Sequence, residues 1–298
     1  QTNITYKKEK LDNERIDGSP ATVWAVDAID YGKVYEYTPT YKETPVKYTY
    51  TYSGGRIYKD PTEMSKRTPG FARVTETDPL GFSTTSYFHQ GNGDDATSYE
   101  QGDNVPGKIG RTYRTETKNP AGEIMQVGIN TYGSVDLGNS KQYVYLEQSQ
   151  SYDKQKQLGT ATGYTVDTTI GEVTRTHDYG RVTPSSWDTL NGTWTDTDSD
   201  GLISETEYIA TLPLVRPVKS IVRDLSTKQV LRESSYQYDG GTLSKGLLTK
   251  QSDRIDSGKT VSTTYTYSPR GTLTGSTNPL GDTTTYTLDK QEIYPTSS

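Results

Sequence analysis

Twelve consecutive residues carry the one spacing in this chain that chemistry could use directly: Asp196-Thr197-Asp198-Ser199-Asp200-Gly201-Leu202-Ile203-Ser204-Glu205-Thr206-Glu207. Carboxylates occupy the first, third and fifth places, glycine the sixth, an aliphatic residue the eighth and glutamate the twelfth, which is the pattern of a calcium-binding loop. Calcium takes several oxygen ligands at once. The spacing predicts Asp196, Asp198 and Asp200 as carboxylate ligands, Leu202 through its backbone carbonyl, Ser204 directly or through a water, and Glu207 with two oxygens. The preceding Gly192-Thr193-Trp194-Thr195 reads as strand and not helix. The ion is therefore expected to stiffen an acidic hairpin inserted at about residues 187–210. The competing reading is a hairpin tip held by aspartate side chains that bond to their own turns, with like charges crowded together.

Catalytic patterns are weak by comparison. His89 and His177 are the only histidines, and neither lies in a nucleophile or metal signature. His89 follows Tyr87-Phe88 at the end of a strand and reads as a packing or surface residue. The scattered carboxylates show no spacing that would pair them for glycoside hydrolysis. Ser53-Gly54-Gly55 and Asp239-Gly240-Gly241 lack the following helix and lysine of a phosphate cradle, so they read as turns. The expectation is a protein without catalytic or organic-cofactor-binding residues. Tyrosine-rich faces could stack on sugars, but cross-strand tyrosine ladders explain them more simply. Asn3-Ile4-Thr5 and Asn191-Gly192-Thr193 match the glycosylation acceptor pattern.

The elements that would position these residues are strands. Hydrophobic residues make up only 30% of the 298, 25 of them tyrosine, and mean hydropathy is −0.84, a balance that by itself suggests disorder. Tyrosine and threonine nevertheless recur with period two, as in Lys47-Tyr48-Thr49-Tyr50-Thr51-Tyr52, and both are strong strand formers. The reading is an extended all-β protein whose thin sheet has amphipathic faces. Lys141 to Tyr152 alternates apolar and aromatic residues so that both faces want burial, which predicts a central strand or one roofed by a loop. Leu212 to Val222, with Pro213 and Pro217, suits an edge or a bend. Gly91 to Gly107 reads as a long polar loop. Residues 1–46 form the least regular part, with one or two strands, and Trp24 is expected to anchor Ala21–Ile29 against the sheet. Ser53-Gly54-Gly55-Arg56 is expected to be a tight turn.

Turns punctuate the rest. Asp78-Pro79-Leu80-Gly81, Asn119-Pro120-Ala121-Gly122 and Asn278-Pro279-Leu280-Gly281 share one design, and Ser268-Pro269-Arg270-Gly271 is a fourth version. In each, a side-chain oxygen starts the turn, proline presets φ, and glycine accepts a positive φ at the end. Tyr265 and Tyr286 occupy matching places 21 residues apart, a period typical of repeat arrays.

The units Tyr236-Gln237-Tyr238-Asp239, Tyr265-Thr266-Tyr267-Ser268-Pro269-Arg270-Gly271-Thr272-Leu273 and Asn278-Pro279-Leu280-Gly281 to Tyr286 resemble the RHS, or YD-repeat, family, most clearly over residues 230–298. The resemblance implies a twisted antiparallel β-ribbon over 47–298 with inserted loops, able to curl into part of a hollow shell. It also implies kinship with bacterial toxin-complex, polymorphic-toxin and cell-surface proteins. Only Tyr236–Asp239 is a complete Y-X-Y-D. Tyr267 is followed by Ser268, and Leu288 replaces the second tyrosine in Tyr286-Thr287-Leu288-Asp289. The C-terminal protease and cargo segments of many family members have no counterpart, so neither activity is carried over.

Two readings follow. One is a non-enzymatic scaffold, a segment of a secreted or cell-surface bacterial β-shell. The other is a self-assembling subunit of an extracellular filament or surface layer, joined by strand completion between copies. In both, the expected partners are copies of the chain or neighbouring repeat segments meeting at strand edges. The net charge of −6 argues against nucleic acid. No apolar run is long enough to span a bilayer, and the absence of cysteine leaves the compartment open. The first residues lack the apolar segment of a signal peptide, so Gln1 reads as the start of a processed chain or of a fragment.

Overall fold

The computed structural model describes residues 2–14, 20–36, 42–59, 66–90, 105–138, 141–198, 200–256 and 258–297. The chain is strand almost throughout: β1 (Asn3–Glu14), β2 (Pro20–Glu36), β3 (Lys42–Lys59), β4 (Lys66–Thr77), β5 (Ser83–Phe88), β6 (Thr112–Lys118), β7 (Ile124–Gly138), β8 (Lys141–Asp153), β9 (Leu158–Asp167) and β10 (Glu172–Pro184). There follow β11 (Trp194–Asp196), β12 (Leu202–Thr211), β13 (Leu214–Asp224), β14 (Val230–Tyr238), β15 (Leu248–Asp256), β16 (Lys259–Tyr267), β17 (Leu273–Thr277) and β18 (Thr283–Thr285). A separate pair, β19 (Thr287–Leu288) and β20 (Pro295–Ser297), closes the chain. β1 to β18 form one open antiparallel sheet in which strands pair with their sequence neighbours, except that β10 pairs with β11 at one end and β12 at the other. Contacts divide the chain into two compact units, Gln1–Ala161 with Arg181–Thr197, and Thr162–Gly180 with Asp198–Ser298.

The four proline turns share one hydrogen-bond pattern. Asp78 Oδ1 accepts Leu80 N at 2.9 Å and Phe82 N at 2.8 Å, while Gly81 N donates to Asp78 O at 3.1 Å. Asn278 Oδ1 likewise accepts Leu280 N and Asp282 N, both at 2.9 Å. Asn119 Oδ1 accepts Glu123 N at 2.9 Å, and Ser268 Oγ accepts Arg270 N and Thr272 N more loosely, at 3.3 and 3.4 Å. The closing glycines have φ of +88°, +84°, +90° and +92° at 81, 122, 271 and 281. This is the three-residue hairpin loop that ends in a glycine bulge. Between turns, hydroxyls pair across strands, as Thr75 with Thr85 at 2.8 Å, Ser252 with Ser262 at 2.8 Å and Thr277 with Thr283 at 2.9 Å.

Several expectations need correction. The first 46 residues hold two long strands and the start of a third. Trp24 is 68% exposed and not buried against another layer of the described residues; the Lys8 ammonium lies 5.2 Å from its ring centroid. Ser53–Arg56 is no turn, because β3 runs straight through it with Ser53 opposite Arg73 and Gly55 opposite Phe71. Gly54 is needed there for a close approach: a Cβ would lie 2.6 Å from the Ala72 Cβ. Tyr286, the place that matches Tyr265 within β16, falls outside a strand, because β18 ends at Thr285 and β19 begins at Thr287. Residues 91–104 of the expected polar loop lie outside the described residues. Its end forms a 3₁₀ turn, Pro106–Lys108, whose Gly107 N donates to Gln142 Oε1 on β8 at 2.6 Å.

β8 is roofed, as its pattern predicts. Val144 and Tyr152 are buried, Val144 where the 3₁₀ turn meets β8 and Tyr152 where the segment between β10 and β11 crosses it. Trp187 of that segment meets the Tyr152 ring edge-on at 6.2 Å, and Leu190 is 2% exposed. Ala25, Ala28, Tyr87, Tyr113, Val127, Ile129, Ala161 and Val182 are also buried in the first unit. The core of the second is thinner, built on Ile203, Ile221, Tyr238 and Leu243.

Candidate functional site

Leu202, Ser204 and Glu207, three of the six residues predicted to hold calcium, are strung along one extended strand of the second unit. Asp196 ends β11 in the first unit, and Asp198 and Asp200 lie on the connection that enters the second. Leu202 begins β12, where it pairs with both Asp178 and Asp224, and Ser204 sits between Thr176 and Val222. A helical calcium hand brings its twelfth residue back to the ion. Here β12 is extended, and at about 3.3 Å per residue it carries Glu207 roughly 17 Å along from Leu202. Among the described residues, no three acidic or histidine side chains are grouped to hold a metal ion.

What the sheet does gather is a buried polar cluster in the first unit. Arg114 and Glu116 lie two apart on β6, hence on the same face. Arg114 Nε donates to Glu116 Oε1 at 2.7 Å, with side chains 2% and 4% exposed. Arg114 Nη1 donates to the Leu190 carbonyl at 2.7 Å, and the Tyr87 hydroxyl donates to Glu116 Oε2 at 3.1 Å. Beside it, the Tyr152 hydroxyl donates to Gln150 Oε1 at 2.7 Å, and Gln150 Nε2 donates to the Gly192 carbonyl at 3.1 Å. The roof segment is thus tied down by side chains that reach up from the sheet. Leu190 itself takes a left-handed φ of +43°, which aims its carbonyl at Arg114 while its side chain is buried. Burial pushes the Tyr87 phenol up to about 12, with the Glu116 charge adding to the shift, and burial alone pushes Tyr152 up to about 12.

His89 lies within this unit, 3% exposed, with its ring 4.8 Å from Tyr113 and 5.8 Å from Tyr132. It is a packing residue, as its place after Tyr87-Phe88 predicts. His177 in the second unit meets Tyr179 at 3.3 Å, and burial, then the Arg175 charge, lowers its pKa.

The aspartate of the complete Tyr-Asp unit has a structural task. Asp239 Oδ2 accepts Ser244 N, Lys245 N and Gly246 N, each at 2.8 Å, and Oδ1 accepts Leu247 N at 3.1 Å. These bonds hold the carboxyl far below the usual carboxylate range. Asp289 closes its own loop in the same manner, accepting Ile293 N at 2.7 Å and Tyr294 N at 3.2 Å. Tyr238 is buried beside Asp239. The motif therefore joins a ring that packs to a carboxylate that closes the connection.

A second charged group lies on the sheet of the second unit. Glu205 Oε1 accepts Arg175 Nε at 3.0 Å and Nη2 at 2.5 Å, while Oε2 accepts Arg223 Nε at 3.1 Å. The Arg223 bond and then the Arg175 bond lower the Glu205 pKa. Neither this triad nor the Arg114–Glu116 pair was singled out from the sequence. The available signal was Arg-X-Glu two apart in a tyrosine-rich strand, since such a pair shares one sheet face.

No protein-family model matches the sequence, and no curated protein matches it. In structure, the chain is similar over 99% of its length to the crystal structure of TcdB2-TccC3-TEV, with a TM-score of 0.60 and 9% identity. It is similar over 99% to TcdB2-TccC3 without its hypervariable C-terminal region, with a TM-score of 0.55 and 10% identity. The chain spans 22% of the length of each. Neighbour-paired strands, repeated Asx-Pro-X-Gly turns and Tyr-Asp closures thus coincide with these likenesses, and the fold is of the RHS/YD-repeat kind.

Proposed function

We propose that this chain is a non-enzymatic scaffold, a wall segment of a secreted bacterial β-shell. The observation that carries the proposal is the open antiparallel meander, similar in fold along nearly its whole length to TcdB2-TccC3. The polar side chains that come together support the same reading. Arg114 with Glu116 and Asp239 with its loop are each engaged in holding neighbouring chain in place. Calcium belongs to the proposal as an ion that would order the Asp196–Gly201 connection. Its support is the residue pattern alone.

Negative-stain electron microscopy of the purified chain tests the proposal. Discrete curved or hollow particles are expected. Regular fibres that grow with concentration would refute the wall segment in favour of a filament subunit joined by strand completion.

A further inference from the structure

The roof segment of the first unit is tied to the sheet at two carbonyls that stand two residues apart. Leu190 O accepts Arg114 Nη1 at 2.7 Å, and Gly192 O accepts Gln150 Nε2 at 3.1 Å. Between them lies Asn191, exposed to solvent. Leu190 holds its left-handed φ of +43° here, a conformation that leucine keeps only where its surroundings impose it. Gly192 has a φ of +89°, and a Cβ on it would lie 3.7 Å from both Gln150 Oε1 and Ile129 Cγ2. The space admits a methyl group, but the backbone asks for glycine. The fold therefore keeps an Asn-Gly pair at the point where the roof is anchored.

That pair has a chemistry of its own. The amide nitrogen that follows an asparagine can attack the side-chain carbonyl carbon and close a five-membered imide. Glycine allows this most readily, because it has no Cβ to hinder the approach. At Asn191 the turn adds to that tendency. Asn191 Oδ1 accepts Thr193 Oγ1 at 2.7 Å and Thr193 N at 3.2 Å, so two donors already point at the oxygen on which negative charge builds during the attack. The same turn lays the side-chain amide along the Gly192 peptide. Gly192 N and Asn191 Nδ2 have no hydrogen bond to the described residues, so neither the attacking nor the leaving nitrogen has a bond to give up.

We propose that Asn191 is a self-modification site whose conversion releases the roof. Gly192 N bonds to Asn191 Cγ, and Nδ2 departs as ammonia with the proton that Gly192 gives up. Water then opens the imide, with no oxidant or reductant involved. Addition at Cγ leaves aspartate. Addition at the main-chain carbonyl leaves isoaspartate, in which the main chain runs through Cβ and Cγ. Isoaspartate thus inserts one more carbon between the two anchored carbonyls. Leu190 O and Gly192 O cannot then both stay over Arg114 and Gln150 without the segment rearranging, and the buried Arg114–Glu116 pair loses its cover.

The test ages the full chain in mildly alkaline buffer and follows it by peptide mapping and hydrogen exchange. The segment 189–194 is expected to gain one mass unit, with isoaspartate among the products. The rate should be no lower than in a blocked peptide of the same residues, Thr-Leu-Asn-Gly-Thr-Trp. Thr193→Val removes the hydroxyl donor and is expected to slow the conversion about tenfold. In the aged chain the amides of Ser185 and Leu190, which donate to Thr193 O and Ser186 O, should exchange faster. Asn191→Gln, whose side chain would have to close a six-membered ring, should age without that change. Freshly prepared Asn191→Asp carries the new charge on a main chain of unaltered length and should keep both amides protected. An Asn191 that stays intact, converts more slowly than the peptide, or converts at an unchanged rate in Thr193→Val would overturn the proposal. Conversion that leaves the Ser185 and Leu190 amides unaffected would overturn it too, since the roof would not have been released. The peptide comparison uses the unaltered chain, so the test survives if the valine variant misfolds.

Discussion

Replacing Glu116 by leucine removes the carboxylate that accepts from the buried Arg114 guanidinium at 2.7 Å. Both side chains are 4% exposed or less, so water cannot take over the lost bond without opening the roof. Stranding one member of a buried ion pair costs about 3–5 kcal/mol. The Tyr87 hydroxyl also loses its acceptor, which adds about 1 kcal/mol. For a unit of this size each kcal/mol moves the melting temperature by about 2–4 °C. The first unit should therefore melt at least about 8 °C lower, as read by scanning calorimetry. The double variant Arg114→Met/Glu116→Leu removes the stranded charge; it leaves the Leu190 carbonyl without its donor, a cost of about 1–3 kcal/mol, and the Tyr87 hydroxyl without its acceptor as in the single variant. It is expected to be more stable than Glu116→Leu alone. A double variant that melts as low as the single one, or lower, would refute the argument from a stranded charge.

Alkaline titration offers a second check. Tyr87 and Tyr152 ionise near 12 in the fold, against about 10 in an unfolded chain. The neutral phenols thus contribute stability that is fully present below pH 10 and is lost as pH rises through 12. Absorbance at 295 nm should show late-ionising tyrosines that titrate together with loss of the β-sheet signal, and Tyr152→Phe should weaken that coupling. A single unfolding-independent titration of all tyrosines near 10 would contradict it. Asp239→Ala should speed amide exchange at Ser244, Lys245, Gly246 and Leu247 while leaving the Asn278 turn unchanged; unchanged exchange at those four amides would show that the carboxylate does not close the loop. Because that carboxyl is depressed in the fold, its contribution is present above the unfolded value of about 3.9 and fades as pH falls. For calcium, calorimetric titration is expected to give a saturable heat that disappears in Asp200→Ala. The heat should persist in Glu207→Gln, since β12 carries that residue away. No heat in the unaltered chain would remove calcium from the proposed function.

The parts of this fold that were legible in the sequence are those whose cause is local. A proline turn is specified by four adjacent residues, and all four copies form as their residue types dictate. The burial of Val144 was legible too, from its alternation with Tyr143 and Tyr145, but the segment that covers Gln150 and Tyr152 left no mark in that pattern. Trp24 misled because an aromatic residue signals burial only if another layer covers it, and composition does not say which strands are covered. Ser53-Gly54-Gly55-Arg56 misled because glycine serves both turns and close strand contacts, and only the Ala72 methyl opposite Gly54 decides between them. The calcium pattern fixes ligand types but not the backbone that follows, and a strand after the loop disperses what a helix would gather. The Arg114–Leu190 bond joins residues 76 apart, a separation that no local pattern encodes.

The turns have a consequence for how the chain acquires its structure. Each closes with bonds among five consecutive residues, and nearly every ladder joins one strand to the next in sequence. All-β proteins usually fold slowly because distant segments have to find each other before contact is rewarded. Here most of the search is replaced by zipping from one turn to the next, so hairpins can form as the chain emerges and then extend one at a time. The slow step should be the docking of Leu190 over Arg114, which joins residues 76 apart, and with it the last ordering of the sheet beneath.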